Sequence, residues 1–327
     1  MIAFTIRRVF YGVLILLGVN LATFFLFFTV NTPDDMARLN IGGKRVTQQL
    51  IEKWKDERGY NKPLYLNPTK RGTEQLTETI FWDRSVSLFQ MKFGRADSES
   101  AGDIGHEVSE RMWISMQLAM PIFILQVVFS TAFALLLVMF RNTKLDLWGV
   151  ILCVLMLSIS SLFYIIVGQF LFSRVLKLVP ISGYAPGLDA VRFLVLPVIL
   201  SAIARLGTEA RLYRAMFLEE IGKDYVRTAR AKGLSETVVM FRHVLRNALI
   251  PIITSAGGYL PYVFMGSLVF ETFFGIPGLG AYVIEAIGKQ DFAIVRTMVF
   301  VGSLLYVATY ILIDMAYTWV DPRVRLA

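Results

Sequence analysis

The stretch Glu209–Pro251, EARLYRAMFLEEIGKDYVRTARAKGLSETVVMFRHVLRNALIP, decides the fold. It is polar, basic and helical in pattern, and strongly apolar runs lie on both sides of it. Ala210 to Ile221 has a helical pattern that Gly222 interrupts, because glycine costs about 1 kcal/mol in a helix interior. Asp224 is placed to cap a short helix from Tyr225 to Lys232, and Gly233 suits the left-handed position just past it. Ser235 is expected to cap the next helix, with Glu236 at the positive end of its dipole. The pattern therefore predicts a short helix, a tight turn, and a longer helix running toward the membrane. Ala229 and Ala231 beside Arg227, Arg230 and Lys232 would let that short helix approach another protein closely within a ring of cations.

Two plainer readings compete. One is a solvated cytoplasmic loop with ordinary charges. The other is a DNA-reading helix-turn-helix, since ARAKGLSETVVMFRHVLRN has a glycine turn and a basic second helix. Both flanks enter the bilayer within a few residues, however, which leaves no room for the scaffold such a reader needs.

Composition sets the class. Hydrophobic residues make up 55% of the 327-residue chain and charged residues 18%, and the mean hydropathy is +0.57. A soluble domain of this length does not show such values. The net charge of +8 could point to nucleic acid, but the cations cluster at the ends of apolar runs, where membrane orientation explains them. Cys153 is the one cysteine, so no intrachain disulfide forms, and with two histidines it cannot supply a zinc site.

Six spans are expected. Arg7 and Arg8 precede the apolar run Val9–Val30, which is too long for a signal peptide and is taken as the first span with a cytoplasmic N-terminus. Residues 31–111 form a polar insertion, extracytoplasmic by topology, with a short amphipathic helix at Val46–Glu57 built on Leu50, Ile51 and Trp54. The remaining residues, 112–327, hold the other five spans and a cytoplasmic loop at about 207–247. The spans are Met112–Phe140, Leu147–Phe172, Val191–Leu206, Ala248–Phe270 and Arg296–Val320. A loop rich in Pro and Gly, Ser173–Asp189, lies on the far side. Pro251, Gly257, Gly258, Pro261 and Gly266 fit either close packing or a pathway lining. After the fifth span comes a tight corner with Ala281–Ile287 as a short interfacial helix, and Lys289 and Asp291 are placed in water. Asp314 within the last span is read as a buried acid satisfied by a neighbouring helix, a proton relay being the sharper alternative. Six crossings bring a basic C-terminus, with Arg323 and Arg325, back to the N-terminal side.

At DYVRTARAKGLS followed by HVLRNALIP the chain resembles the inner-membrane permease subunits of binding-protein-dependent ABC importers, in the dipeptide, oligopeptide and nickel branch. Phe93-Gly94-Arg95 matches a short motif before that family's second span, and Glu271-Thr-Phe-Phe-Gly-Ile-Pro-Gly-Leu-Gly280 is similar to its E-x-x-F-x-x-P-G-L-G outer turn. The resemblance implies an all-α, six-span type I importer permease in a bacterial or archaeal cytoplasmic membrane. It further implies a coupling helix seated in a groove of an ATP-binding subunit, carried by Asp224, Arg227, Ala229, Ala231, Lys232, Gly233 and Leu234. Arg246 and Asn247 would hold the loop to the base of the fifth span, and Glu271, Pro277, Gly278 and Gly280 would form the outer turn. The implied partners are a second, different permease chain, two ATP-binding subunits and an extracytoplasmic substrate-binding protein. The implied cargo is a peptide or a related small solute such as a nickel chelate or antibiotic peptide.

The missing chemistry agrees. The sequence has no G-x-x-x-x-G-K-[ST] loop to cradle ATP, no G-x-S-x-G elbow and no H-E-x-x-H pair. No catalytic residue, metal site or cofactor is therefore assigned, and no nucleic-acid partner is implied. A stand-alone secondary carrier using Asp314, or a membrane-anchored sensor binding a ligand through residues 31–111, are the rival functions.

Overall fold

The computed structural model describes residues 2–42, 46–98 and 102–320. Among these every regular element is helical, apart from an isolated bridge between Arg95 and Asp103. In chain order, α1 (Ile2–Val30), α2 (Pro33–Ile41) and α3 (Gln48–Arg58) are followed by single helical turns and then α4 (Ile104–Met139). Next come α5 (Lys144–Ser158), α6 (Ser161–Val175), α7 (Ala190–Ile221), α8 (Asp224–Ala231) and α9 (Glu236–Gly257). The chain continues with α10 (Leu260–Met265), α11 (Leu268–Phe274), α12 (Leu279–Gly288) and α13 (Phe292–Val320). Helices α1, α4, α7 and α13 are each long and apolar enough to cross a bilayer, and two bent pairs bring the candidate spans to six.

Both bent pairs differ from the straight spans expected. Instead of Leu147–Phe172, helices α5 and α6 meet at 90°. The serines at the break supply the physical reason: Ser158 Oγ donates back to the Val154 carbonyl, Ile159 is extended, and the Ser160 hydroxyl caps α6 by accepting from Leu162 N at 3.3 Å. Hydroxyls that satisfy the backbone locally let a helix stop inside an apolar run, where no charge marks the place. Instead of Ala248–Phe270, α9 begins at Glu236 and meets the α10–α11 segment at 44°. The fourth span and the expected helix over Ala210–Ile221 are one continuous element, α7, which ends at Gly222 as the sequence pattern predicts.

The chain divides into two compact units, Ile114–Gly278 and Met1–Trp113 with Leu279–Ala327. In the second of these, α1 packs along α13, and a core of Phe24, Phe28, Met36, Ile51, Trp54, Tyr60 and Ile80 joins α1 to the polar insertion. Ile51 and Trp54 are the buried face of α3, while Leu50 is exposed. Thr32 and Asp35 form a reciprocal cap at the start of α2. Asp291, expected in water, is instead fully buried. Its carboxylate accepts from Ser98 N at 2.8 Å and from Ile294 N at 3.1 Å, at the head of α13. Beside it the buried Asp97 accepts from the Tyr60 hydroxyl at 2.9 Å and from Ala293 N at 3.1 Å. Burial drives the Asp97 carboxyl above its ordinary range, with Arg84 opposing. The side chain of Asp314 and residues 321–327, Arg323 and Arg325 included, lie outside what is described.

In the other unit α5 and α6 pack against α7. A Cβ at Gly207 would lie 2.5 Å from the Cys153 carbonyl, so glycine is what permits the close approach of α5 and α7.

Removing Asp97 strands two buried donors, each worth about 1–3 kcal/mol. Asp97→Ala should therefore lower the stability of the detergent-solubilised protein by roughly 3 kcal/mol and Asp97→Asn by about half that. Thermal unfolding of the two variants side by side checks the order.

Candidate coupling surface and outer turn

Helix α8 is only eight residues long, and isolated helices below about 12 residues are marginal in water. Its stability comes from one face. Val226 and Ala229 are buried in a cluster with Tyr213, Phe217, Val239, Met240 and Val244, contributed by α7 and α9. Ala229 thus corrects one expectation: its small size serves packing within this chain, not a surface for another.

The opposite face is exposed. It presents Asp224, Arg227, Ala231 and Lys232, followed by Gly233 and Leu234 in the turn. Gly233 has φ +76° as the turn requires, and its amide donates to the Arg230 carbonyl at 2.9 Å. Asp224 does not cap the helix. It is the first helical residue, Lys223 holds the cap position, and Asp224 makes an exposed 3.4 Å pair with Arg227. Ser235 holds its expected position, but its side chain makes no capping bond; its carbonyl accepts from Val239 N at 3.0 Å. Arg230 leaves the ring of cations by forking onto Glu236 at 2.7 and 3.1 Å, which ties the turn shut and holds that carboxyl below its usual value.

Two contacts not anticipated from the sequence hold this assembly. Glu220, buried near the end of α7, accepts from the Tyr225 hydroxyl at 2.6 Å and from Lys223 Nζ. Burial, then the bond to Glu220, pushes the Tyr225 hydroxyl up to about 12, so it remains a donor at neutral pH. Asp146 on α5 receives a forked pair from Arg214 on α7, at 2.9 and 2.8 Å. Arg214 looked like one more positive-inside cation; only the packing of α5 on α7 selects its partner. Arg246 and Asn247 are exposed on α9, where Asn247 donates to the His243 carbonyl at 2.8 Å and lies beside the Tyr225 hydroxyl.

The outer turn is organised around Glu271, which is fully buried in α11. Its Oε1 accepts from Ser115 Oγ on α4 at 2.8 Å and from Ser267 N at 3.1 Å. A Cβ at Gly278 would lie 2.4 Å from Glu271 Oε2 and 2.5 Å from Ser115 Oγ, and one at Gly266 2.0 Å from Oε1. Gly278 and Gly266 are therefore spaces reserved for a carboxylate. Gly275 closes α11 with φ +63°, Pro277 is half-buried, and Gly280 lies buried in α12.

Helices throughout the described residues, up to six apolar crossings and a structured basic segment between two of them define a polytopic membrane protein. The chain belongs to the family described as the binding-protein-dependent transport system inner membrane component, whose model matches residues 111–326. The N-terminal model of the same transport systems matches residues 1–87. It is 32% identical over 330 residues to a protein named as a peptide transport system permease in Brucella abortus (strain 2308), covering 99% of both chains. It is 31% identical over 249 residues to the dipeptide transport system permease protein DppB of Bacillus subtilis (strain 168), covering 76% of this chain and 78% of that one. Over 293 residues it is 29% identical to the glutathione transport system permease protein GsiC of Salmonella typhimurium, covering 90% of each. This subunit is accordingly a multi-pass inner-membrane component of an ATP-driven importer that works with ATPase and binding-protein partners. It is a transporter subunit, not an enzyme; ATP is handled by the partner subunits, and the permease binds no cofactor.

Gly278→Ala should cost at least about 2 kcal/mol through overpacking against Glu271 and Ser115. Gly18→Ala, whose Cβ meets nothing within 4 Å, should leave the unfolding midpoint unchanged or raise it slightly. Ala229→Leu, by contrast with any change at exposed Ala231, should lower stability by about 1–3 kcal/mol in the same measurement.

Proposed function

We propose that the chain imports peptides or a closely related small solute, and that α8 with its turn is the element through which ATP-binding subunits move it. The relatives named for peptide, dipeptide and glutathione transport support the substrate class. The observation that carries the coupling role is the two-sided nature of α8: one face sealed in the core made by α7 and α9, the other exposed as Asp224, Arg227, Ala231, Lys232, Gly233 and Leu234. Ala229 fixes the height of that face from below, and Arg246 and Asn247 support the base of α9. The outer turn of Glu271, Pro277, Gly278 and Gly280 fixes the far end of the same helical run.

The assembly proposed is this chain with a second, different permease, two ATP-binding subunits and an extracytoplasmic binding protein. Both termini are cytoplasmic, and residues 31–111 lie on the far side with the binding protein. Closure of the ATP-binding dimer moves α8, and the attached spans swing as rigid elements between inward and outward access.

Ala231→Trp should block seating while sparing the fold, and Gly233→Pro should break the turn by denying both φ and the amide bond. In vesicles holding the full assembly, each should cut binding-protein-stimulated ATP hydrolysis by about tenfold or more, equivalent to ~1.4 kcal/mol of coupling. Undiminished stimulation in both would remove α8 from the mechanism.

A further inference from the structure

A cavity of about 340 Å³ opens within the Ile114–Gly278 unit, among α4, α6, α7 and the α10–α11 segment. That size lies within the usual range for small-molecule sites. Its polar lining comes from Gln126, Ser161, Ser201, Tyr259, Tyr262 and Ser267, and its one charged lining residue is Arg205. No carboxylate lines it.

Arg205 stands about 22 Å along α7 from Ala190, at the end of the apolar stretch Val191–Leu206. Its side chain is exposed and lines the open cavity. The guanidinium stacks over the Tyr259 ring, 5.1 Å from its centroid, and makes no ion pair with an acid among the described residues. A guanidinium over an aromatic face keeps N–H donors available for an oxygen ligand. The same face of α7 carries Ser201, Arg205 and Glu209 at four-residue spacing. Glu209 is buried, and its carboxylate lies within hydrogen-bonding reach of the Tyr213 and Tyr259 hydroxyls. With the Tyr259 hydroxyl taken up by Glu209, the cavity offers the Arg205 cation, the Gln126 amide and the hydroxyls of Ser161, Ser201, Tyr262 and Ser267, and a planar fork fits a carboxylate better than an ammonium does.

We propose that this cavity holds the free C-terminal carboxylate of a short peptide in transit, with Arg205 as its forked donor and Tyr259 as the plate that orients it. The proposal rests on the reading of the chain as a peptide importer. It makes Arg205 a specificity-determining residue of the membrane domain.

The test uses the complete importer, with its binding protein, in vesicles, and follows ATP-driven uptake of trialanine and of trialanine amide. Wild type should favour the free acid. Arg205→Ala should lower free-acid uptake by about tenfold or more and bring the acid-to-amide ratio near one; Arg205→Lys, keeping charge but losing the fork, should fall between. Arg192→Ala, an exposed cation near the start of the same helix, should match wild type. An aspartate side chain placed on the amide peptide should not restore uptake, because the site is built for the main-chain terminus. If wild type drives uptake but shows no preference, or if the Arg205 variants lower acid and amide uptake in parallel, the inference fails and the importer stands. Should Arg205→Ala not assemble, an unchanged ratio in Arg205→Lys overturns it equally. If wild type shows no ATP-driven peptide uptake at all, the peptide reading falls, and this inference with it.

Discussion

The burial of one side of α8 is the interaction on which the working parts of this subunit depend. Eight residues cannot hold a helix in water. Fully burying a valine stabilises by roughly 2 kcal/mol, enough to matter for so short an element. With Val226 and Ala229 set among side chains of α7 and α9, α8 moves only as those helices move. A loop that merely hung from the membrane could bind a partner, but it could not transmit force.

The same logic governs the buried charges. A lone ion in a low-dielectric interior costs several kcal/mol, and three buried acids are met by donors at short range. Asp146 takes both prongs of Arg214, Glu220 takes Tyr225 and Lys223, and Glu271 takes Ser115 and a backbone amide. These contacts join α5 to α7, α7 to α8, and α4 to α11 respectively. Apolar packing alone would let such helices slide, because lipid tails are as apolar as leucine. Paired polar groups fix their register.

How much of this could be read from the chain depended on whether a signal was local. The left-handed turn at Gly233 was legible because only glycine takes that φ without strain. The long spans were legible because apolar length is local too. The 90° break at Ile159 was hidden, since its serines sit in an unbroken apolar run. The burial of Asp291 and the role of Arg214 were also hidden, because both depend on partners far away in sequence, Ser98 and Asp146. Ala229 was recognised as important for the wrong reason: smallness marks close approach, but not whether the neighbour belongs to the same chain. Gly278 of the outer turn matched a pattern, yet its cause, the room needed by the Glu271 carboxylate, appears only in three dimensions.

Three successive helices, α9, α10 and α11, join the two ends of the mechanism proposed here. α9 is fastened to the coupling turn by Arg230 on Glu236 and by the packing of α8 against Val239–Leu245. That stretch has the wider hydrogen bonding of a π-helix, a local distortion often found at functional positions. Further along, the run bends by 44° near Tyr259, the residue that carries Arg205 on its ring, and then reaches α11 and the buried Glu271. A displacement entering at α8 therefore meets a rigid connection first, a bend at the wall of the cavity second, and a carboxylate anchor last. Because the far end is pinned, angular change concentrates at the bend, and the geometry of Tyr259 beneath Arg205 is what a moving coupling helix would alter most.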